Sequence, residues 1–329
     1  FIVGEKEVRY IHQRINHHIF KEPEKLMENI ERVTGYLHKT ISAMGGDPLR
    51  ETLNLVPAVD NKSFYRTPEG EYWRTFIFIE GARSYDQVED LRHVYSANFA
   101  FGRFQKMLST LPGERLHETI PNFHNTRLRF DSFIAALECD ICNRAAVVKP
   151  EIDFVLQRQS DTGIIVDMLE TGKLPECVTH NDTKLNNVMI DDSTGEGICV
   201  IDLDTVMPGS ALYDFGDSVR IGASTAAEDE RDLDKVGVSL DMFDRLTHGY
   251  LDVARDFLTE AEIDNLVFSS KLMTLECGIR FLTDYLSGDT YFKVHREEHN
   301  LDRCRTQFKM VAEMEVNTEL MNRIVDNYR

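Results

Sequence analysis

The chain has 329 residues, of which 42% are hydrophobic and 9% aromatic, and its formal charge is −19. This length and apolar content can bury a substantial core in one large domain or two lobes, and the aromatic content argues against disorder. So acidic a chain would repel nucleic acid and anionic lipid alike, so neither is an expected partner.

No long uninterrupted apolar segment and no signal peptide are visible, and the sequence reads as cytoplasmic, with its oligomeric state left open. Six cysteines are spread thinly. Cys139 and Cys142 form a CxxC without a second pair or paired histidines to complete a zinc site, so buried reduced thiols are expected.

In chain order, Phe1-Ile-Val3 is strand-like, residues 4–7 turn, and residues 8–15 form a second run, which together predict a hairpin. Pro23 opens a helix in which Leu26, Ile30, Val33 and Leu37 recur at helical spacing. Gly45-Gly-Asp-Pro48 breaks it. A polar turn at Thr67-Pro-Glu-Gly70 leads to a strand over 72–79, followed by Glu80 and Gly81. From there the pattern turns helical, with Val94, Ala97, Phe101, Phe104 and Leu108 as a core stripe. Residues 121–130 are an aromatic and basic loop in which His124 reads as a satisfied histidine rather than a ligand contact. One helix is predicted over 151–169.

The most informative stretch follows. Val188-Met-Ile190 and Ile198-Cys-Val-Ile201 are short apolar runs separated by a polar segment with two glycines, which predicts a β-hairpin. Such a hairpin sets Asn187, just before the first strand, beside Asp202, just after the second. Two oxygen ligands of this kind suit Mg²⁺, which takes few carboxylates and completes its shell with phosphate and water. Asp182 lies one loop upstream, placed to receive or orient the proton of an acceptor hydroxyl. The pattern points to phosphoryl transfer.

Beyond it, Glu228-Asp-Glu230 reads as a solvated acidic helix start. Leu272, Leu275, Ile279 and Leu282 pack one face of a further helix. Glu276, Arg280 and Asp284 fall four apart on another face, where the plain reading is an exposed ion-pair ladder.

His180, Asp182, Asn187, Asp202 and Asp214, in this order and spacing, resemble the catalytic loop, metal-binding aspartate and downstream structural aspartate of the aminoglycoside phosphotransferase and choline kinase superfamily. Within it, Thr179-His-Asn-Asp-Thr-Lys-Leu-Asn-Asn187, Ile201-Asp-Leu-Asp-Thr-Val-Met-Pro-Gly209 and Asp214-Phe-Gly-Asp-Ser218 are similar to the N-acetylhexosamine 1-kinases, which phosphorylate the anomeric hydroxyl of GlcNAc or GalNAc.

The resemblance implies an α+β, bilobal, protein-kinase-like fold, with a small β-rich nucleotide-binding lobe over 1–80 and a mainly helical lobe over 81–329. It implies ATP and Mg²⁺ as cofactors and a small-molecule sugar acceptor. Asp182 would be catalytic and touch the acceptor, and Asn187 and Asp202 would hold the metal. The backbone of Phe78, Ile79 and Glu80 would meet adenine, Lys184 would serve the nucleotide, and Arg280 and Tyr291 would contact the sugar. Asp204 would hold a metal-bound water or the loop backbone.

Two features depart from the family pattern. The Gly-rich loop is absent, and the numbered chain is expected to lack its first residues. The strand lysine that holds phosphate is also absent. Gln13 or Arg14 falls near its position, and alternation lets only one of them face the nucleotide. Arg14 keeps the charge and is taken as the nucleotide contact. Glu28 and Glu31, on the helix that would carry the lysine's partner, read as surface charges. Open alternatives are a kinase of the same fold acting on choline, homoserine, an aminoglycoside or another sugar, and a catalytically silent binding protein.

Overall fold

The computed structural model describes residues 2–3, 6–86 and 90–329. The chain enters through a short antiparallel pair, β1 (Ile2–Val3) on β2 (Lys6–Glu7), and continues into β3 (Tyr10–Ile15). Helix α1 (Pro23–Ala43) follows, with Pro23 at its start, where a missing N–H costs nothing. The short α2 (Pro48–Glu51) and strand β4 (Tyr65–Arg66) lead to β5 (Tyr72–Ile77). The sheet order is β3-β5-β4, all antiparallel.

The hairpin predicted between residues 1–3 and 8–15 does not form. Tyr10 to Ile15 pair instead with β5 along their whole length, Tyr10 opposite Ile77 and Ile15 opposite Tyr72. A six-residue partner satisfies far more backbone groups than a two-residue strand can.

Leu26, Ile30, Val33 and Leu37 of α1 are buried as their spacing predicts, in one core with Phe101 and Phe104. Asn29 on the same helix is also buried. Its amide donates to the carbonyls of His117 and Val206 at 2.8 and 3.1 Å, tying α1 to loops far along the chain.

Strand β6 (Ala82–Arg83) passes to α3 (Leu91–Leu108), which Asp90 caps by accepting from the Arg92 N–H at 2.8 Å. Next come α4 (Thr126–Cys139), α5 (Lys149–Leu156) and α6 (Ile164–Glu170). The single helix predicted over 151–169 is thus broken. A tight turn over 159–163 interrupts it, where Asp161 pairs with Lys271 at 2.8 Å and the Gly163 carbonyl faces Arg127.

Strand β7 (Cys177–Thr179) precedes the hairpin β8 (Val188–Asp191) and β9 (Gly197–Val200), and β10 (Met207–Gly209) returns to pair with β7. The remaining chain is α7 (Ala211–Gly222), α8 (Leu240–Ala254), α9 (Glu260–Asp264), α10 (Leu266–Leu286) and α11 (His299–Asp326). A core of Leu212, Phe215, Phe243, Tyr250, Leu272 and Met310 joins α7, α8, α10 and α11. Helices α3 and α8 cross closely because Gly249 lies against the Tyr95 carbonyl, where any side chain would collide.

Three further expectations are corrected. The ladder on α10 does not exist, because Glu276 and Asp284 are buried and bonded to other elements. Glu228 to Glu230 do not start a helix; Glu228 pairs with Arg220 at 3.1 Å, and Asp229 with Arg296 at 2.7 Å and His299 at 3.0 Å. All six cysteines are free thiols, but Cys139 and Cys142 are exposed, since they sit at the solvent end of α4 rather than in an apolar run. Among the described residues, no helix is long and apolar enough to cross a membrane.

Candidate functional site

The site is built on the β8–β9 hairpin. Val188 lies opposite Val200, and the ladder runs one step further as the Ile201 N–H donates to the Asn187 carbonyl at 2.8 Å. Asn187 and Asp202 therefore leave the same end of the hairpin together. Asp202 takes a left-handed backbone, φ 57°, which turns it out of the strand.

Asp182 joins them through Asn187, whose amide donates to the Asp182 carbonyl at 2.8 Å and to its carboxylate at 3.1 Å. That orientation leaves Asn187 Oδ1 without a bonded partner among the described residues. Asp202 likewise accepts no hydrogen bond from any described residue. Burial, then the neighbouring Asp204 and Asp182 carboxylates, pushes the Asp202 carboxyl above its usual range. Its surface is nonetheless accessible, because it opens onto a cavity. Two free oxygens crowded by negative charge are a donor set that fits a hard cation. Among the described residues no three His, Cys, Asp or Glu side chains gather as a metal cage. Mg²⁺ needs no such cage when phosphate and water complete its shell.

The loop that carries Asp182 is held from behind. His180 is fully buried, its ring edge-on to Phe101. Its Nδ1 accepts from the Asp182 N–H at 3.3 Å, so Nε2 carries the proton and donates to the Ile201 carbonyl at 2.8 Å. This one ring spans the segments that present Asp182 and Asp202. Asp214, in the first turn of α7, accepts from the N–H groups of His180 and Asn181 at 2.9 and 2.6 Å and from Gln105 at 2.5 Å. One turn on, Asp217 accepts from the Thr183 N–H at 3.1 Å. Burial opposes its charge, but Arg220 at 2.8 Å holds its carboxyl below the usual range.

Asn181 has a left-handed backbone, φ 64°, and its carbonyl accepts from His124 at 3.1 Å. The other nitrogen of His124 meets Glu276 at 2.9 Å, and Glu276 also accepts from Thr126 at 2.5 Å. Burial works against the Glu276 charge, yet His124 and Thr126 together hold its carboxyl below the usual range.

The hinge residues are placed unequally. The Phe78 N–H donates to the Arg9 carbonyl at 3.0 Å, and the Glu80 carbonyl accepts from Arg50 at 3.1 Å. The main-chain groups of Ile79 bond to no described residue. Phe78 and Ile79 line a cavity of about 560 Å³ together with Met189, Asn187 and Asp202, whereas Glu80 is exposed and paired with Arg9. Arg14 does not reach this cavity. Strand alternation turns it to the other face, where it is 60% exposed and pairs with Glu71 at 3.3 Å, so its assignment as a nucleotide contact is corrected.

Lys184 lies 2.8 Å from the Asp182 carboxylate. Burial disfavours its charge, but Asp182 holds its ammonium above the usual range. Asp204 is drawn to Arg74, a residue the sequence did not single out. The available signal was an arginine in the middle of an apolar strand. Glu28 pairs with His117 at 2.9 Å and Glu31 is exposed, both away from the cavity.

Arg280 lies one turn beyond Glu276 on α10. Its guanidinium stands 5.3 Å from the Phe123 ring and 5.5 Å from Phe292, with no hydrogen bond or ion pair to a described residue. Tyr291 is 61% exposed in the turn that Asp284 organises by accepting from three successive N–H groups, those of Thr290, Tyr291 and Phe292. A separate cavity of about 370 Å³, lined by His124, Asn181 and Tyr213, contains neither Asp182 nor Asp202.

Residues 53–246, more than half of the chain, match the APH phosphotransferase enzyme family. Among solved structures, the chain is similar to an aminoglycoside phosphotransferase from Alicyclobacillus acidocaldarius (TM-score 0.60, 10% identity, 97% of this chain and 88% of that one). It is also similar to a microcompartment-associated aminopropanol kinase (TM-score 0.58, 15% identity, 97% and 88%). A third similar structure is a choline/ethanolamine kinase family protein from Mesorhizobium loti (TM-score 0.54, 13% identity, 97% and 86%). At these identities the likeness carries the fold: a small antiparallel sheet followed by a large helical part, as in kinases.

Proposed function

The chain belongs to the APH phosphotransferase enzyme family, and from that premise we propose that it transfers the γ-phosphoryl group of ATP to the anomeric hydroxyl of an N-acetylhexosamine. The observation that carries this reading is the convergence of Asp182, Asn187 and Asp202 at the open end of one hairpin, beside a cavity of about 560 Å³. Phe78 and Ile79 supply an extended edge there for a base.

In this reading Asp182 orients the acceptor hydroxyl and takes its proton as the new P–O bond forms and the γ-phosphorus separates from ADP. Positioning matters more than basicity when the transition state is loose. Mg²⁺, when held by Asn187 Oδ1 and Asp202, supplies positive charge against the phosphate oxygens. His180, Asp214 and Asp217 hold the loop so that Asp182 does not have to reorganise during the reaction.

The acetamido-sugar acceptor rests on the sequence resemblance and on the surroundings of Arg280. A guanidinium between Phe123 and Phe292 that makes no hydrogen bond to a described residue can donate two bonds to hydroxyl or acetamide oxygens, and exposed aromatic rings such as Tyr291 cover the apolar face of a sugar. The test is Mg²⁺-dependent ATP consumption against GlcNAc, GalNAc, choline, homoserine and kanamycin, with phosphorus NMR of the product. Phosphate on C1 of an acetamido sugar is the expected result. Turnover only with another acceptor removes the sugar reading and leaves the catalytic one, and nucleotide binding without turnover removes both.

A further inference from the structure

Two arginine side chains line the cavity with Asn187 and Asp202 among the described residues: Arg83, which is exposed and pairs with Asp192 at 2.6 Å, and Arg74, which stands on β5. Arg74 is 6% exposed and lines this cavity. It lies directly opposite Gln13 in the β3–β5 ladder. Directly paired residues project from the same face of a sheet, so Arg74 faces the cavity alongside Gln13 while Arg14 faces away.

A buried charge needs a partner. That of Arg74 is Asp204, two residues beyond Asp202. Its Nε donates to Gln13 Oε1 at 3.1 Å, whereas Nη2 bonds to no described residue. A guanidinium has five N–H donors in a planar fork suited to phosphate oxygens. Here Nε and Nη1 hold the guanidinium in place, and Nη2 is left for a ligand in the cavity that Arg74 lines. The helix that would anchor a cation on β3 offers none, since Glu28 is engaged by His117 and Glu31 faces solvent.

We propose that Arg74 binds the polyphosphate of the nucleotide from β5, and that its pair with Asp204 sets the distance between that phosphate contact and the Asp202 loop. Anchoring the cation on the loop that carries Asp202, rather than on α1, makes the phosphate and metal positions one rigid unit. The inference rests on the proposed nucleotide cavity and goes beyond it by naming the group that takes the place of the missing strand lysine.

Calorimetric titration of the full chain with ATP, ADP, AMP and adenosine, in Mg²⁺ and without acceptor, tests it. Arg74→Gln should weaken ATP and ADP binding by about 10- to 100-fold, as expected for loss of a charged hydrogen bond, and leave adenosine within about twofold. Arg74→Lys, which keeps a charge for Asp204, should fall between. Adding Gln13→Lys to Arg74→Gln should restore part of the ATP affinity without changing that for adenosine.

Equal losses for ATP and adenosine would reduce Arg74 to a structural role and overturn the proposal, as would unchanged ATP affinity in Arg74→Gln. Either result leaves the kinase reading standing if the native chain still turns over ATP. A native chain that binds none of the four ligands would remove both.

Discussion

The back and the front of the 180–183 loop use the same residue types in opposite ways. Behind it, Asp214 and Asp217 are buried carboxylates that accept the N–H groups of His180, Asn181 and Thr183, and Glu276 is buried against His124 and Thr126. In front, Asp202 accepts no hydrogen bond from a described residue, and Asn187 Oδ1 has no bonded partner among them. Buried polar groups normally satisfy one another. A set left open on one side of a loop, beside a fully bonded set on the other, separates what the fold needs from what a ligand would complete.

The largest expected break in this comparison is Asp182→Asn. It keeps the size of the side chain and removes the proton acceptor, so turnover should fall by about 10²–10⁴-fold with ATP affinity nearly unchanged. Steady-state kinetics and calorimetry together check it, and retained turnover would take Asp182 out of its role. Next is Asp214→Ala, which leaves the buried N–H groups of His180 and Asn181 and the Gln105 amide unsatisfied. A loss of roughly 3–5 kcal/mol in denaturant unfolding is expected, on the scale of breaking a buried charged network. A loss below about 1 kcal/mol would mean that the loop does not depend on its clamp.

A smaller effect is expected at Glu276. Its carboxyl is held below the usual carboxylate range, so its charge stabilises the fold at neutral pH, and the contribution is lost as pH falls through the lowered folded value. Glu276→Gln should cost about 1.5–3 kcal/mol at neutral pH, with the difference from the native chain narrowing as pH falls through the lowered folded pKa. Thermal melts across pH would show this, and a pH-independent difference would argue for packing instead of charge.

What the sequence made legible follows the range of each contact. Asn187 and Asp202 were placed together because a hairpin is local and its register follows from two apolar runs and a turn. The α1 and α3 stripes were legible because helical spacing carries burial. Arg74 with Asp204 was not, because the two lie 130 residues apart and only the β3–β5 register turns Arg74 inward. The α10 ladder misled for a related reason. A spacing of four says that Glu276, Arg280 and Asp284 share a helix face, but not whether that face meets water or, as here, His124 and Asn300.

The smallest predicted effect has the opposite sign. Asp202 is a carboxyl raised above its usual range by burial and by the neighbouring Asp204 and Asp182. Below the unfolded pKa it is neutral in both states and costs nothing. The penalty builds up as pH rises from the unfolded pKa to the raised folded one, where the unfolded chain gives up this proton and the folded chain keeps it, and it persists in full above that range. Asp202→Asn should therefore raise the metal-free Tm by about 1–3 °C at pH 7 while abolishing Mg²⁺-dependent turnover. Mg²⁺ should raise the Tm of the native chain and leave that of Asp202→Asn unmoved, because a ligand stabilises only the state that binds it. A lower Tm for the variant would show that the Asp202 carboxylate is held by the protein, and the front of the loop would then be as closed as its back.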